Sequence, residues 1–292
     1  MHDLTSPAVI RAIMNKYSFH CRKSMGQNFL ADGNIIKKII DAAEISPQDT
    51  VIEIGPGLGV LTQALCGVAA RVITVELDQK LVVILKDLLA DCKNLSPVAG
   101  DAMEVDFDSL AKQYAGELAQ RPYKMLSNLP YYITTPLLLH IVTGGFNYSS
   151  LVVMIQQEVA QRIAASPGSK DYGSLSVAVQ YYTVPDLLFK VPPTVFIPRP
   201  EVGSAVLRMV KRDRPPVEVP DEKIFFKIVR GSFAQRRKTL HNALSAALPA
   251  LGKEKMLDIL NSAGVNPGRR GETLSLEEFA AVTREYIHAG GR

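Results

Sequence analysis

Cysteine is scarce in this chain: Cys21, Cys66 and Cys92 are the only three in 292 residues. The number is odd and no CxxC spacing occurs, which excludes a disulfide framework or a zinc cluster and predicts ordinary reduced thiols and no metal. Long apolar runs are missing too. The longest stretch without a charged side chain, Met125 to Gln157, is broken by Asn128, Pro130, Pro136, Gly144-Gly145 and Asn147. It reads as two buried strands with a helix between them, not as a membrane span. The first residues carry no basic-then-apolar leader, so a cytoplasmic protein is expected. Also lacking are the HxE…PCxxC pattern of zinc deaminases, HExxH, GxSxG and a P-loop lysine. Those absences exclude several hydrolytic and nucleotide-cleaving chemistries.

What is present is ordinary globular composition, 47% hydrophobic and 21% charged, which argues against disorder. The net charge of +4 is unevenly spread: residues 211–292 hold 15 Lys and Arg against 10 Asp and Glu, whereas residues 1–210 are close to neutral. A basic C-terminal piece fits a polyanionic partner. Short apolar strands are expected at 51–55, 71–76, 95–100, 123–127 and 150–156, alternating with helices at 60–67, 79–90, 108–119 and 133–143. That alternation implies right-handed βαβ units and a parallel sheet covered on both faces. Amphipathic helices at 7–17 and 34–43 precede it. Two further strands, 187–191 and 205–210, flank a proline-rich segment and suit an antiparallel closing pair. The charged, proline-rich run 211–220 reads as a linker. Helices are then expected at 221–231, 235–247, 253–262 and 275–288, giving domains at 1–211 and 212–292.

Three successive strand ends carry chemistry. Gly55, Gly57 and Gly59 follow the first strand, where glycines let a ligand approach the backbone. The spacing is GxGxG, with Val60 where a dinucleotide fingerprint needs glycine, which disfavours a nicotinamide oxidoreductase. Glu76 ends the second strand 21 residues after Gly55, placed to accept hydrogen bonds from a ribose. Asp101 lies just past the third strand, where it can accept from an adenine amine. A tight turn and two solvated carboxylates are the bland alternative, but three in register favour a nucleoside cofactor. The fourth strand ends in Asn128-Leu129-Pro130-Tyr131. This stretch resembles the [D/N/S]-P-P-[Y/F/W] motif of enzymes that methylate the exocyclic amines of bases, which implies S-adenosylmethionine as cofactor. The amine lone pair of adenine is delocalised into the ring. The Asn128 amide oxygen and a backbone carbonyl near Leu129 or Pro130, accepting its two N–H groups, would localise it. Proline stiffens the loop, and Tyr131, with Phe196, can sandwich an unstacked base. The basic run Arg236-Arg237-Lys238, expected on the helix from 235 with Leu240 and Leu244 toward the core, suits phosphate contact. Arg22 and Lys23 in the basic stretch near the N-terminus are read the same way.

Taken in order, Gly26-Gln27-Asn28-Phe29-Leu30, Glu53-Ile54-Gly55-Pro56-Gly57-Leu58-Gly59, Glu76-Leu77-Asp78, Gly100-Asp101-Ala102, Asn128 to Tyr131, Phe196-x-Pro198-x-Pro200-x-Val202-x-Ser204 and Phe233 to Leu244 closely resemble the bacterial 16S ribosomal RNA adenine dimethyltransferases. The resemblance runs from about residue 20 to 285. It implies a Rossmann-like class I methyltransferase domain with a mostly parallel seven-stranded sheet and a small all-helical C-terminal domain. It implies S-adenosylmethionine contacts at Asn28, Leu30, Gly55, Gly57, Glu76, Asp101 and Asn128. The expected reaction is N6,N6-dimethylation of two adjacent adenosines in the 3′-terminal hairpin loop of 16S rRNA within a maturing small subunit, by a monomer. The alternatives are the related macrolide-resistance enzyme acting on a large-subunit adenine, and a non-catalytic assembly factor.

Overall fold

The computed structural model describes residues 3–20 and 26–292; Cys21, Arg22 and Lys23 lie outside the described residues. Helix α1 (Pro7–Lys16) starts with proline in its first turn, where the missing N–H costs nothing. Strand β1 (Phe29–Leu30) is only two residues long. Helix α2 (Gly33–Ala42) is capped by the Asp32 carboxylate, which accepts from the backbone N–H groups of Asn34 and Ile35 at 2.9 and 3.1 Å. Its Ile36 and Ile39 are buried, each contributing roughly 1.5–3 kcal/mol of apolar burial.

The alternating core follows: β2 (Thr50–Ile54), α3 (Val60–Cys66), β3 (Arg71–Glu76), α4 (Gln79–Leu88), β4 (Leu95–Ala99), α5 (Phe107–Ala115), β5 (Tyr123–Asn128), α6 (Thr134–Thr143) and β6 (Tyr148–Gln156). After it come α7 (Gln157–Ala164), α8 (Ser174–Tyr182), β7 (Thr183–Val191), the two-residue β8 (Phe196–Ile197) and β9 (Ser204–Lys211). Seven strands form one sheet in the order β4-β3-β2-β5-β6-β9-β7. β2 to β6 run parallel, as their apolar runs predict, and β9 enters antiparallel beside β6. The order reverses between β2 and β5, the position in an open α/β sheet where ligands bind beyond the carboxyl ends of strands. Helix α5 stops at Gly116, short of the expected residue 119, because this glycine has a φ of 57°.

Two features were not expected. β1 pairs antiparallel with β8, Phe29 opposite Ile197 and Leu30 opposite Phe196, and Ala31 donates its N–H to the Val195 carbonyl at 2.7 Å. The second is the division of the chain. One compact unit holds residues 1–160 and 185–211, and the other holds 161–184 and 212–292. The break after Lys211 coincides with the expected linker. The segment 161–184 nevertheless packs with the C-terminal helices: Tyr172, Val177 and Tyr181 share an apolar core with Phe225, Ile228, Leu240, Leu260 and Phe279.

That second unit contains α9 (Glu222–Ala234), α10 (Leu240–Ala247), α11 (Lys253–Ser262) and α12 (Leu276–His288). The expected helix from 235 is corrected here. Residues 235–238 form a turn, and α10 starts only after Thr239, whose side chain accepts from the Asn242 N–H. Arg236, Arg237 and Lys238 therefore lie on a connection between helices. Arg236 is further committed, donating to the Glu272 carboxylate at 3.1 Å and to the Lys170 and Tyr172 carbonyls at 2.7 and 3.3 Å.

Candidate active site

One pocket in the first unit takes in Asn28, Leu30, Gly55, Gly57, Glu76, Asp101, Asn128, Leu129, Pro130, Tyr131 and Phe196, while Gly59, the third glycine of the loop, is not among its lining residues. Its empty space is about 1140 Å³ with the open mouth included. The floor is the loop after β2. Gly57 has a φ of 57°, and a Cβ there would stand 2.9 Å from the Phe29 ring, so only glycine lets β1 close onto this loop. Gly59, at a φ of 83°, leads into α3 with a would-be Cβ 2.4 Å from Leu85 Cδ1.

Glu76 at the end of β3 is aimed by backbone donors, among them Gly57 and Asp78. Its Oε2 accepts from the Gly57 N–H at 3.3 Å and its Oε1 from the Asp78 N–H at 3.0 Å. Burial raises its pKa above the ordinary value, against those stabilising N–H groups. Asp101 accepts from the Met103 N–H through Oδ1 at 2.9 Å, which fixes the carboxylate past β4.

Sequence reasoning missed Glu53. It sits mid-strand in β2, is 1% exposed and lines the same pocket. Thr62 Oγ1 donates to its Oε2 at 2.6 Å. Burial, and secondarily the charge of Glu76, push its carboxyl up to about 8. A charged residue in the middle of an otherwise apolar strand was the available signal. Gln27, Phe29 and Tyr132 also line the pocket, Tyr132 with 52% of its surface exposed.

Two acidic side chains, Glu76 and Asp101, line this space beside the buried Glu53, which keeps its proton near neutral pH, and no Lys, Arg or His is among the described residues that line it. Such a pocket attracts a cation and repels a pyrophosphate, which fits a sulfonium and ammonium-bearing nucleoside and argues against a dinucleotide. Among the described residues no group of three or more His, Cys, Asp or Glu is arranged to hold a metal, and no helix is long and apolar enough to cross a membrane.

The Asn128 loop closes the other side. Ser127, 2% exposed, donates its hydroxyl to the Ile54 carbonyl and ties β5 to β2. Asn128 Nδ2 donates to the Asn28 carbonyl at 3.3 Å, which leaves Oδ1 as the acceptor for an incoming N–H. The Leu129 N–H is used by the Met154 carbonyl at 3.1 Å. The Pro130 carbonyl accepts from the Ile133 N–H at 3.3 Å and from Thr134 Oγ1 at 3.0 Å. Both lone pairs of Pro130 are thus engaged, and of the two carbonyls that the sequence left open only that of Leu129 remains. The Tyr131 hydroxyl shares a hydrogen bond of 2.8 Å with Ser204 Oγ. Phe196, 4% exposed, is the more enclosed of the two aromatic candidates. His140 packs edge-on against Phe146 at 5.5 Å, consistent with a packing role.

Comparison with known proteins agrees with this geometry. The ribosomal RNA adenine dimethylase profile matches residues 18–282. A protein of Pelotomaculum thermopropionicum named ribosomal RNA small subunit methyltransferase A is 50% identical over 292 residues, covering 99% of each chain. One of the same name from Moorella thermoacetica is 50% identical over 290 residues, covering 99% of this chain and 100% of its own. Among solved structures, a dimethyladenosine transferase from Plasmodium falciparum superposes with a TM-score of 0.77 at 25% identity, covering 90% of this chain and 98% of its own. The 23S rRNA methyltransferase ErmE shares the fold, with a TM-score of 0.66 at 24% identity over 88% of this chain and 98% of its own. The sheet is that of a Rossmann-like class I methyltransferase with a helical C-terminal domain. The chain belongs to the ribosomal RNA adenine dimethylases, which are S-adenosylmethionine-dependent enzymes.

Proposed function

We propose that this protein dimethylates the N6 amines of two adjacent adenosines in the 3′-terminal hairpin loop of 16S rRNA, on a maturing small ribosomal subunit. The observation that carries the reading is the Asn128-Leu129-Pro130-Tyr131 loop standing in one pocket with Glu76 and Asp101. Glu76 takes the ribose hydroxyls and Asp101 the adenine amine of the cofactor, while Asn28, Leu30, Gly55 and Gly57 shape its bed. Bound S-adenosylmethionine supplies a methyl group already activated by its sulfonium.

The chain's own task is to present the amine. Asn128 Oδ1 and the Leu129 carbonyl accept its two N–H groups, which draws the nitrogen lone pair out of conjugation and toward the methyl. The same two oxygens face the positive charge that develops on N6 in the transition state and stabilise it. With no His, Lys or Cys among the described residues lining the pocket, the proton of the alkylated amine leaves to solvent. Tyr131 and Phe196 hold the unstacked base, and a hairpin loop reduces the cost of unstacking because its bases are not held in a duplex. Arg237 and Lys238, both exposed, contact phosphates, as do Arg22 and Lys23.

Asn128→Ala tests the assignment. Transfer of labelled methyl from S-adenosylmethionine to rRNA should fall at least 100-fold, in line with loss of a preorganised transition-state contact, while RNA affinity changes less than threefold. Equal loss of binding and transfer would remove Asn128 from the chemistry.

A further inference from the structure

We propose that Ser204 is a positioning residue for methyl transfer: its hydroxyl holds the far end of the Tyr131 ring at the place where the target base stacks. The inference rests on the reading of Tyr131 as the stacking residue, and adds a group outside the Asn128 loop to the apparatus. Ser204 opens β9 and is 1% exposed. Its Oγ lies 2.8 Å from the Tyr131 hydroxyl, which comes from a loop 73 residues earlier in the chain. Burial raises the Tyr131 phenol above its ordinary value, so the hydroxyl keeps its proton and remains a hydrogen-bonding partner.

Ser204 is itself rigidly placed. It pairs with Gln156 at the end of the β6–β9 ladder, and the neighbouring Gly203 carbonyl accepts from the Gln157 N–H at 3.0 Å. The segment between β7 and β9 is held a second time where β8 pairs with β1. A tyrosine ring anchored only at Cβ turns about two side-chain torsions. The phenolic oxygen lies on the axis of the second torsion, so fixing it to the sheet restrains the first torsion and with it the position of the ring, in the manner of a second layer supporting a functional group. The same segment carries Phe196, so the hydroxyl pair also links the two aromatic side chains proposed to enclose the base.

Positioning matters most at the second methylation, when the amine already bears one methyl group and has a single N–H left to locate it. A looser ring should therefore release more monomethyladenosine before the second transfer. Four variants test this: Ser204→Ala, Tyr131→Phe, their combination and Ser204→Thr, all in the full-length enzyme with undermethylated small subunits. Ser204→Ala and Tyr131→Phe remove the same hydrogen bond. Each should lower kcat three- to tenfold, leave S-adenosylmethionine affinity and KM for the subunit within twofold, and at least double the monomethyl fraction measured by mass spectrometry of digested rRNA. The combined variant should be no worse than either alone, and Ser204→Thr should restore dimethylation at least partly. Additive losses, an unchanged monomethyl fraction, or a drop in cofactor affinity parallel to the drop in kcat would overturn the proposal. Wild-type enzyme runs alongside: if it too fails to methylate the subunits, the substrate reading fails, whereas active wild type with unaffected variants condemns only the Ser204 assignment.

Discussion

Glu53 shows at the scale of one residue what a sequence conceals. By position it is a strand residue between two isoleucines, and period-two alternation assigns only that it is buried or exposed, not what it faces. The structure buries it against Thr62 in the wall of the pocket, where its carboxyl holds a proton to about 8 instead of the ordinary 4.5. In the unfolded chain the proton leaves near 4.5. Between the two values the unfolded state binds fewer protons than the folded one, so stability falls as pH rises through this window. Glu53→Gln has no proton to lose. Measured by denaturant unfolding without ligand, the variant should gain on wild type by up to about 1.4 kcal/mol for each pH unit between roughly 5 and 8. A difference constant across that range would mean that Glu53 is ionised as usual. Asn128, Glu76, Asp101 and the glycines were legible because each lies at the end of an apolar run, where the strand pattern itself places it. The choice between the Leu129 and Pro130 carbonyls was not, because it depends on Ile133 and Thr134 filling the second.

Elements were readable where an apolar run is largely unbroken. β2, β3 and β5 are runs of five or six residues with few polar interruptions, and the parallel sheet follows from them. β1 and β8 have two residues each, too few for any alternation, yet their pairing holds both Phe29 and Phe196 at the pocket. Between α9 and α10, helical spacing of Leu240 and Leu244 invites extension back to 235. Thr239 instead caps α10 and leaves Arg236 to Lys238 in a turn. That correction separates the three cations. Arg236 pairs with Glu272 and two carbonyls, so Arg236→Ala should destabilise the helical unit by roughly 1 kcal/mol, as for a half-exposed ion pair with added hydrogen bonds. Arg237→Ala with Lys238→Ala should leave the unfolding midpoint unchanged and weaken RNA binding. The double change should lower the slope of log affinity against log salt by up to about two contacts' worth. An unaltered slope would return these two residues to a merely solvated turn.

On the scale of the whole molecule, the sequence marked the linker at 211–220 but not that residues 161–184 belong with the C-terminal helices. Nothing in composition changes at 161 or 185; the assignment is made by tertiary partners, Tyr172 and Tyr181 among Phe225, Phe233 and Phe226. A catalytic unit with an acid-lined pocket and a basic helical unit together suit an enzyme that binds a cationic cofactor and a polyanionic substrate. Membership of the rRNA adenine dimethylases sets the reaction, and the choice of subunit is the central claim left to measure. Purified protein should be given labelled S-adenosylmethionine with undermethylated small subunits and, in parallel, with matched large subunits and their naked rRNA. Label is expected in the small subunit alone, close to four methyl groups per particle and recovered as N6,N6-dimethyladenosine from the 3′-terminal hairpin; label in the large-subunit rRNA instead would contradict the assignment.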